Sequence, residues 1–427
     1  MTDNAVNFKN MLECEFNPRK REWLKEFSKP EMLMDDVCKL SKAQAYNFMT
    51  DLEEDVPLDV FLFCFGFSCK DLSSLNNHAH SYKSDCVETG AGSTGATWRG
   101  NCDFLGVAKP PLALIENVRA ARKGPNFEQM KKDLAEVGYV LADLLLNAAL
   151  CGFPQDRERA WFAAIRKDLC SPEFPNDFYD LVDLLQLPEP MPLSRFILAD
   201  SHPYVEQHFA NKRKQALKKR QKQQKVNSKC GIRNEKKKKV NSKRGIGNEK
   251  KKKVRSGKQW VVDHWRVRRE LDMLAVDSSE EPEVVSQAAQ TNALCDRERD
   301  LFRLIVEAPT GRDSEMAPAI EMKHSASRVV SHKGQKRHKR CTSCLLPASK
   351  IMILPPMSRS PRFLTGLEAL SLQGVPCEFH TATTNIMSDA EYMSLAGNAF
   401  NAGCCALVLL AALSTMRMSP SRSNTPQ

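Results

Sequence analysis

Short apolar runs alternate with amphipathic helical segments over residues 10–167, and this alternation restricts the chain to a few folds. The runs over 58–66 (LDVFLFCFG) and 110–118 (PPLALIENV) have the length of buried strands rather than of helices. The segment 126–139 has apolar residues at helical spacing and ends at Gly138, a typical helix-terminating residue. Further strands are predicted over 10–16 and 160–167, and a helix over 18–27. Such alternation predicts an α/β fold with a largely parallel, doubly wound sheet.

Polar side chains directly follow two of the predicted strands. The first apolar run ends at a Gly-Phe-Ser corner, residues 66–68, and Cys69 comes next. The second run ends in Glu116 and Asn117. Because doubly wound sheets bind ligands at the carboxyl ends of their strands, all three residues are candidates for a functional site. Taken alone, Cys69 would more often be a buried structural thiol than a nucleophile.

The positive charge of the chain is concentrated in one segment. Residues 211–258 contain 22 Lys/Arg and two Glu, a net charge of +20, whereas the whole chain carries +11. A direct repeat, 226–239 followed by 240–253, has too few apolar residues to bury a face and predicts a disordered basic linker. Lysine blocks attract polyanions, so we expect a nuclear localisation signal or a phosphate-binding arm. A solvated loop without a role is the alternative.

Composition and spacing also set expectations about environment and metals. Fifteen cysteines without a basic-then-apolar leader predict free thiols in a reducing compartment, not a secreted protein. The apolar run 404–413 is shorter than the roughly 20 residues that span a bilayer, so it predicts a buried helix and no membrane partner. A Cys-x-x-Cys pair at 341–344, with His332 and His338 upstream, does not match a standard zinc finger, and no metal site is predicted.

Five motifs, in this order, resemble those of the DNA (cytosine-5) methyltransferase family, which uses S-adenosylmethionine as its cofactor. They cover both ends of the chain and leave 171–355 almost without a match. The motifs are GFSCKDLS (66–73), IENV (115–118), GFPQDRERAW (152–161), RFLTGLEALSLQGVP (362–376) and YMSLAGNAF (392–400).

The resemblance implies a Rossmann-like methyltransferase fold. Its sheet would be doubly wound and mixed, with the first strand missing, and the target-recognition region would be irregular. The implied domains are a truncated catalytic domain, a linker with the target-recognition region, and a return to the catalytic domain, over 1–170, 171–355 and 356–427 respectively. In the middle region, 258–274 predicts a basic amphipathic helix, and 331–344 is a basic cluster suited to phosphate contacts.

Four residues take catalytic roles by this resemblance. Cys69 would add to carbon 6 of a cytosine that is flipped out of the duplex, which makes carbon 5 nucleophilic. Glu116 would be a buried, protonated acid near ring nitrogen 3. Arg159 would hold the carbonyl of the base, and Arg157 would brace the active-site loop or a phosphate.

Two further residues are expected to support the site. Asn117 would order the loop that carries Cys69. Gln155 belongs to the same motif as the two arginines and is expected to be structural. The Gly/Ser/Thr-rich stretch 92–98 is predicted to be a loop, which by the resemblance borders the cofactor and the catalytic loop; a flexible connection is the alternative.

The cofactor residues are also implied by resemblance. Glu15, after the strand over 10–16, would bind the ribose hydroxyls, and Phe16 would cover the adenine. Asp36 would accept from the adenine amino group, with Val37 beside it. Asn398 would close the pocket from the C-terminal side.

The chain departs from the family pattern at three points. No glycine precedes Gly66, so the Phe-x-Gly-x-Gly loop that approaches the cofactor is absent from this sequence. Ser68 replaces the usual proline before the nucleophile, which loosens the corner. Lys70 replaces the usual glutamine, and we expect it to lower the pKa of the Cys69 thiol.

Three functions follow as alternatives. The first is a nuclear DNA cytosine methyltransferase acting on double-stranded DNA. The second is a truncated or catalytically impaired relative that binds DNA, a second methyltransferase or a chromatin protein. The third is an RNA cytosine methyltransferase, although the Cys-Phe-Thr signature of that branch is not found in this sequence.

Overall fold

The structure is a computed structural model. It describes residues 8–73, 85–215, 217–218, 221, 259–271, 273, 282–292, 294–307, 319–326, 329, 341–354, 360–376 and 386–417. Of the predicted disordered linker, 216, 219–220 and 222–258 lie outside the described residues, as do His332 and His338. The prediction of disorder was wrong at 211–215, because these residues continue the helix that begins at 203.

The chain divides into two compact units. Unit 1 comprises Met1–Met191, Cys344–Pro347 and Ala369–Gln427, and unit 2 comprises Pro192–Ser343 and Ala348–Glu368. Each unit therefore draws on separated parts of the sequence.

Unit 1 alternates strands and helices. Its strands are β1 (Leu12–Cys14), β2 (Met32–Met34), β3 (Gln44–Asn47), β4 (Leu52–Asp55), β5 (Leu62–Gly66), β6 (Leu112–Asn117), β7 (Tyr139–Asn147), β8 (Gln155–Asp156) and β9 (Glu158–Arg166). Its helices are α1 (Pro18–Phe27), α2 (Cys86–Thr89), α3 (Gly92–Ala108), α4 (Gly124–Glu136), α5 (Asn176–Leu185), α11 (Asp389–Asn398) and α12 (Ala402–Ser414). All the strands and helices predicted for this part of the chain are present.

The main sheet of unit 1 is mixed. Its strand order is β5-β6-β9-β7, and a separate pair, β1-β2, is parallel. Strands β5 and β6 are parallel, whereas β9 runs antiparallel to both β6 and β7. Strands β5, β6 and β7 thus run in one direction and β9 in the other, so the mixed sheet implied by the resemblance is confirmed. The prediction of a largely parallel sheet fails at β9, because this strand follows β7 closely. A parallel partner would need a crossover of a dozen or more residues.

Two apolar layers cover the two faces of this sheet. Along β9, Trp161 and Ile165 belong to the layer that includes α5 and α12, and Phe162 belongs to the layer formed with α3 and α4. This alternation has the period of two expected when a strand is buried on both faces. The polar ends of β5 and β6 are thereby held at one edge of a rigid core.

Helix α3 corrects the prediction of a loop over 92–98. Trp98, Phe104 and Leu105 are fully buried along it. Its glycines allow close packing: a Cβ on Gly95 would lie 2.1 Å from the carbonyl oxygen of Cys86. The apolar contacts therefore override the weak helix propensity of the Gly/Ser/Thr-rich sequence.

The stretch 389–414 is apolar enough, over 26 residues, to cross a membrane by length and composition. It forms two helices, α11 and α12, separated by the three residues Ala399, Phe400 and Asn401, of which Ala399 and Asn401 are extended. Helix α12 packs Leu407 and Val408 into the core of unit 1. The predicted buried helix over 404–413 is therefore confirmed.

Unit 2 combines helices with a small antiparallel sheet. Helices lie at 203–215 (α6), Gln259–Glu270 (α7), Glu283–Asn292 (α8), Asp296–Glu307 (α9) and Gly366–Ser371 (α10, whose last residues belong to unit 1). Strands are β10 (Ala319–Glu321), β11 (Thr342–Ser343), β12 (Ile351–Ile353) and β13 (Arg362–Phe363), with β10, β12 and β13 in one sheet. The helix predicted within 258–274 is present as α7.

A buried ion pair lies at the C-terminal end of unit 2. Arg362 donates two hydrogen bonds to the carboxylate of Glu368, at 2.7 and 3.0 Å, and the two residues are 3% and 0% exposed. The same carboxylate accepts from the backbone N–H groups of Leu198 and Thr365, at 2.9 and 2.8 Å. Each charge is therefore compensated, which is the condition for a buried ion pair to be tolerated.

We expect Glu368→Gln to lower the free energy of unfolding by about 3 kcal/mol, because it removes the fully buried counter-ion of Arg362 and leaves only the partly exposed Asp200, which pairs with Arg362 at 2.7 Å. Urea denaturation checks this. Glu270→Gln is the control, since Glu270 pairs with Arg266 at 3.9 Å on the surface of the same unit and should cost less than about 1 kcal/mol. Equal losses in the two variants would contradict the prediction.

Candidate active site

The corner after β5 places Cys69 beside the end of β6. Gly66 pairs with Glu116 in the parallel ladder of β5 and β6. A Cβ on Gly66 would lie 3.4 Å from the ring of Phe400 and 3.5 Å from the carbonyl oxygen of Glu116. The glycine therefore lets the strand end lie close to both residues.

The loop that carries Cys69 is held on both sides of the cysteine. Before it, the side-chain amide of Asn117 donates to the carbonyl oxygen of Phe67 at 2.9 Å, and the backbone N–H of Ser68 donates to the hydroxyl of Thr97 at 2.9 Å. The structure thus places Asn117 in contact with the loop that it was expected to order.

After Cys69, the loop is joined to the start of α3. The buried carboxylate of Asp71 accepts from the backbone N–H of Thr94 at 2.9 Å, and the hydroxyl of Thr94 accepts from the N–H of Asp71 at 3.2 Å. Thr94 is the third residue of α3, and its N–H has no partner within the helix. Asp71 therefore caps a helix from a distant loop. Sequence analysis missed this residue because only the tertiary fold brings the two segments together.

Glu116 and Arg159 form the charged centre of the site. The Nε atom of Arg159 lies 3.3 Å from Oε1 of Glu116, and both side chains are largely buried. Burial raises the pKa of Glu116, while the nearby Arg157 and Arg159 guanidinium groups oppose the rise. The carboxyl group is therefore shifted toward the protonated form that a proton donor requires.

The pKa of the Cys69 thiol is shifted in the opposite direction to the one expected from Lys70. Cys69 is exposed as a residue, but enclosure of its thiol by neighbouring atoms raises the pKa, and Glu116 raises it further. Arg159, the N–H of Cys69 and Arg157 lower it, without cancelling the rise. The lowering expected from Lys70 does not prevail, because burial and a carboxylate outweigh the cations.

The guanidinium group of Arg157 is buried and makes its hydrogen bonds within the protein. It is 3% exposed, and its two terminal nitrogens donate to the carbonyl oxygens of Leu345 and Ala399 at 3.0 and 2.7 Å. A DNA phosphate is thus out of reach of this side chain. The geometry favours the bracing role over the phosphate contact, both of which were expected as alternatives.

Cys344 is a site residue that sequence analysis considered only as part of a possible metal pair. Its sulfur accepts from Arg159 at 3.3 Å and from Arg157 at 3.6 Å. No sequence motif marks this position, since its neighbours come from a segment far away in the chain. Among the described residues, no group of three or more His, Cys, Asp or Glu is placed to hold a metal ion.

Gln155 lies behind the site rather than in it. The side chain is fully buried and donates to the carbonyl oxygen of Leu372 at 3.3 Å, while Gln373 donates to its side-chain oxygen at 3.3 Å. It joins the segment before β9 to the segment after α10, which agrees with a structural role.

The residues expected to bind the cofactor at the first strand pair lie at one edge. Glu15 follows β1 and Asp36 follows β2, and the two strands are parallel with Cys14 beside Met34. Burial and the nearby Asp36, Asp35 and Glu15 raise the pKa of Cys14 to about 12. The carboxylates are therefore close enough together to form one acidic edge.

This edge fits a nucleoside cofactor. Carboxylates accept hydrogen bonds from hydroxyl and amino groups. One carboxylate oxygen of Glu15 accepts a hydrogen bond from the backbone N–H of Asn17 at 2.7 Å. One carboxylate oxygen of Asp36 accepts from the backbone N–H of Cys38 at 3.0 Å. The ring of Phe16 is 81% exposed, so it presents an apolar face to a base.

Helix α3 connects this acidic edge to the Cys69 loop. A Cβ on Gly100 would lie 3.0 Å from backbone atoms of Val37 and Cys38, so the helix packs directly on the turn that contains Val37. The sulfur of Cys38 lies 3.6 Å from the carbonyl oxygen of Ala96 in the same helix.

Asn398 does not reach the other site residues in this structure. It is exposed at the end of α11, and its amide donates to the carbonyl oxygen of Ser394 in its own helix at 2.9 Å. The expected closure of the pocket by Asn398 therefore stays a prediction.

Comparisons with known proteins agree on one family. A family model described as C-5 cytosine-specific DNA methylase matches residues 21–406, which is most of the chain. The DNA (cytosine-5-)-methyltransferase DMT5 of Cryptococcus neoformans var. grubii is 25% identical over 201 residues, which cover 47% of this chain and 8% of that protein. This chain therefore corresponds to a small part of that relative's length.

Two solved structures align along nearly the whole chain at low identity. The Entamoeba histolytica methyltransferase EhMeth has 11% identity and a TM-score of 0.48, over 96% of this chain and 92% of its own. The S. pombe Dnmt2 methyltransferase has 12% identity and a TM-score of 0.44, over 96% of this chain and 91% of its own.

We expect Asp71→Ala to lower the free energy of unfolding by about 1 kcal/mol, the usual effect of removing a helix cap. Urea denaturation measures the loss, and limited proteolysis within 66–73 reports the loosened loop. Asp59→Ala, at an exposed acid in the preceding segment, is the matched control. A variant as stable as this control would argue against the capping role.

We expect Arg159→Gln to slow alkylation of Cys69 by iodoacetamide at mildly alkaline pH. Removing a cation that lowers the thiol pKa raises that pKa, and the fraction of thiolate falls tenfold for each unit of rise. Glu116→Gln should have the opposite effect, because it removes a group that raises the thiol pKa. Peptide mass spectrometry measures the rates.

Arg166→Gln serves as the control for both variants, since Arg166 pairs with Asp168 at 2.7 Å away from the thiol. Changes of the same sign in Arg159→Gln and Glu116→Gln would contradict the electrostatic account.

Proposed function

The chain belongs to the C-5 cytosine-specific DNA methylase family, and from this premise we propose that it transfers a methyl group from S-adenosylmethionine to carbon 5 of cytosine in duplex DNA. The observation that carries the proposal is the grouping at the ends of β5 and β6. A thiol, a buried carboxyl group with a raised pKa and a guanidinium group lie together there: Cys69, Glu116 and Arg159. These are the groups that addition to a cytosine ring needs.

Cys69 is the proposed nucleophile. Carbon 5 of cytosine is too weak a nucleophile to take a methyl group unaided. Addition of a thiolate to carbon 6 turns the ring into an enamine, whose carbon 5 is nucleophilic. After methylation, loss of the proton from carbon 5 expels the Cys69 sulfur and restores the ring. The thiolate is the reactive form, so the raised pKa of Cys69 must be offset when the substrate binds.

Glu116 and Arg159 would supply the protonation and the positioning. A protonated Glu116 would donate to ring nitrogen 3 as negative charge develops on the base. One terminal nitrogen of Arg159 donates to the carbonyl oxygen of Glu158, and the other donates to the sulfur of Cys344. Each terminal nitrogen carries a second N–H that these two hydrogen bonds do not use. These remaining donors suit the carbonyl of the base.

S-adenosylmethionine, when bound, supplies the methyl group as an electrophile. Glu15 and Asp36 would accept from its ribose hydroxyls and adenine amino group. Phe16 and Val37 would provide apolar contacts to the adenine. The carboxylate edge beside α3 supports this assignment, because α3 also holds the Cys69 loop through Thr94 and Thr97.

Duplex DNA is the proposed substrate, and its cytosine must leave the base stack to reach Cys69, at a cost of a few kcal/mol. The net charge of +20 in 211–258 supports a DNA partner and a nuclear location. A second methyltransferase or a chromatin protein is a further proposed partner of the protein.

Methyl transfer from labelled S-adenosylmethionine to mixed-sequence duplex DNA tests the proposal. We expect label in DNA with the unaltered chain and none above background with Cys69→Ala. Glu116→Gln keeps the shape of the side chain but not its acidic proton, and should lower the rate about 100-fold. Arg166→Gln should retain the rate of the unaltered chain.

Label that persists with Cys69→Ala would contradict the covalent mechanism. Transfer RNA serves as a second substrate, and label in RNA alone would identify RNA rather than DNA as the substrate. A folded chain that binds DNA and transfers no label to either substrate would identify a binding protein instead.

A further inference from the structure

Two thiols from distant parts of the sequence meet beside the catalytic corner. The sulfur of Cys64, in β5, lies 3.7 Å from the sulfur of Cys405, in α12, and the residues are 341 positions apart. Both cysteines are free, and Cys64 is exposed. The proposed methyl transfer uses neither residue.

The distance suits a reversible bond. A disulfide has a sulfur–sulfur distance of about 2.0 Å. Rotation of the side chains with a small backbone shift closes the remaining gap, so neither strand nor helix has to unfold. Cys405 lies in the first turn of α12, where its N–H donates to the carbonyl oxygen of Asn401 at 3.0 Å.

The two thiols have pKa values that are shifted in opposite directions. The hydrogen bond between them raises the pKa of Cys64 and lowers that of Cys405, although burial and Glu116 oppose the lowering at Cys405. The dipole of α12, whose positive end lies at its N-terminus, also favours a thiolate at Cys405. Because Cys405 lies near the N-terminus of α12, we expect it to react first with an oxidant, and Cys64, whose sulfur is 3.7 Å away, is in place to resolve the product.

We propose that Cys64 and Cys405 form a disulfide in the presence of hydrogen peroxide and so constitute a redox modification site. The Cys405 thiolate takes one oxygen atom from peroxide, giving a sulfenic acid and hydroxide. The Cys64 thiol then attacks the sulfenic sulfur and water leaves. The balance is two thiols and one peroxide to one disulfide and two waters.

The bond would tie the strand that leads to Cys69 to helix α12. Cys64 is two residues before Gly66, and the Phe400 ring that contacts Gly66 lies just before α12. In a reducing compartment such a bond is transient and serves sensing rather than folding. The proposal does not depend on methyl transfer, and covalent mapping tests it separately.

The test begins with the reduced, desalted chain and hydrogen peroxide, followed by blocking of free thiols and non-reducing peptide mapping. We expect a peptide that links Cys64 to Cys405 and disappears with dithiothreitol. Oxidation should also raise the melting temperature by a few degrees, because the bond closes a long loop in the unfolded chain. Both effects should be lost in Cys64→Ser and Cys405→Ser.

Cys295→Ser is the control, since it removes an exposed free cysteine in unit 2 and should keep the bond and the shift in melting temperature. Linkage of Cys405 to a different cysteine would overturn the proposal. Oxidation of Cys64 and Cys405 to sulfinic acids without a link would overturn it as well. The disulfide link and the shift in melting temperature can both be measured whether or not the chain methylates DNA.

Discussion

The hydrogen bonds between Asp71 and Thr94 join the loop that carries Cys69 to α3, and the geometry of the candidate site depends on this junction. A helix rich in glycine, serine and threonine has little tendency to form by itself. Here it gains a cap from Asp71 and a buried apolar face that includes Trp98. In return, its first turn fixes the loop around Cys69, and Gly100 packs on the turn that contains Val37. One helix therefore sets the distance between the thiol and the acidic edge.

This junction also explains what the sequence could predict. Strands β5, β6 and β9 were predictable because each is an apolar run of strand length that ends in polar residues. Helix α3 was not, because its stability comes from contacts with distant residues rather than from propensity. Cys344 was missed for a related reason: its meeting with Arg159 joins residues 185 positions apart. Glu116 was found because its motif lies at a strand end, where the fold class predicts ligands.

Arg159 links the protonation of the thiol to that of the carboxyl group. Its charge favours the anionic form of both Cys69 and Glu116, while the two anions disfavour each other. Two groups that interact in this way titrate as a pair. Burial moves Glu116 toward its protonated form, and a neutral Glu116 no longer raises the pKa of Cys69. The state with a thiolate and a protonated acid, which the proposed addition to cytosine requires, is thus free of repulsion between two anions, as is the state with a neutral thiol and a carboxylate.

The same carboxyl group extends this coupling to the other thiols. In its charged form Glu116 raises the pKa of Cys64 and Cys405 as well as that of Cys69. A proton on Glu116 therefore lowers the pKa of all three thiols, and the thiolate is both the proposed nucleophile at Cys69 and the form that reacts with peroxide. Conditions that prepare Cys69 for addition thus also prepare Cys405 for oxidation. Cys64 lies in β5, the strand that leads into the Cys69 loop. A disulfide to Cys405 would therefore restrain this loop from its N-terminal side without contacting the proposed substrate.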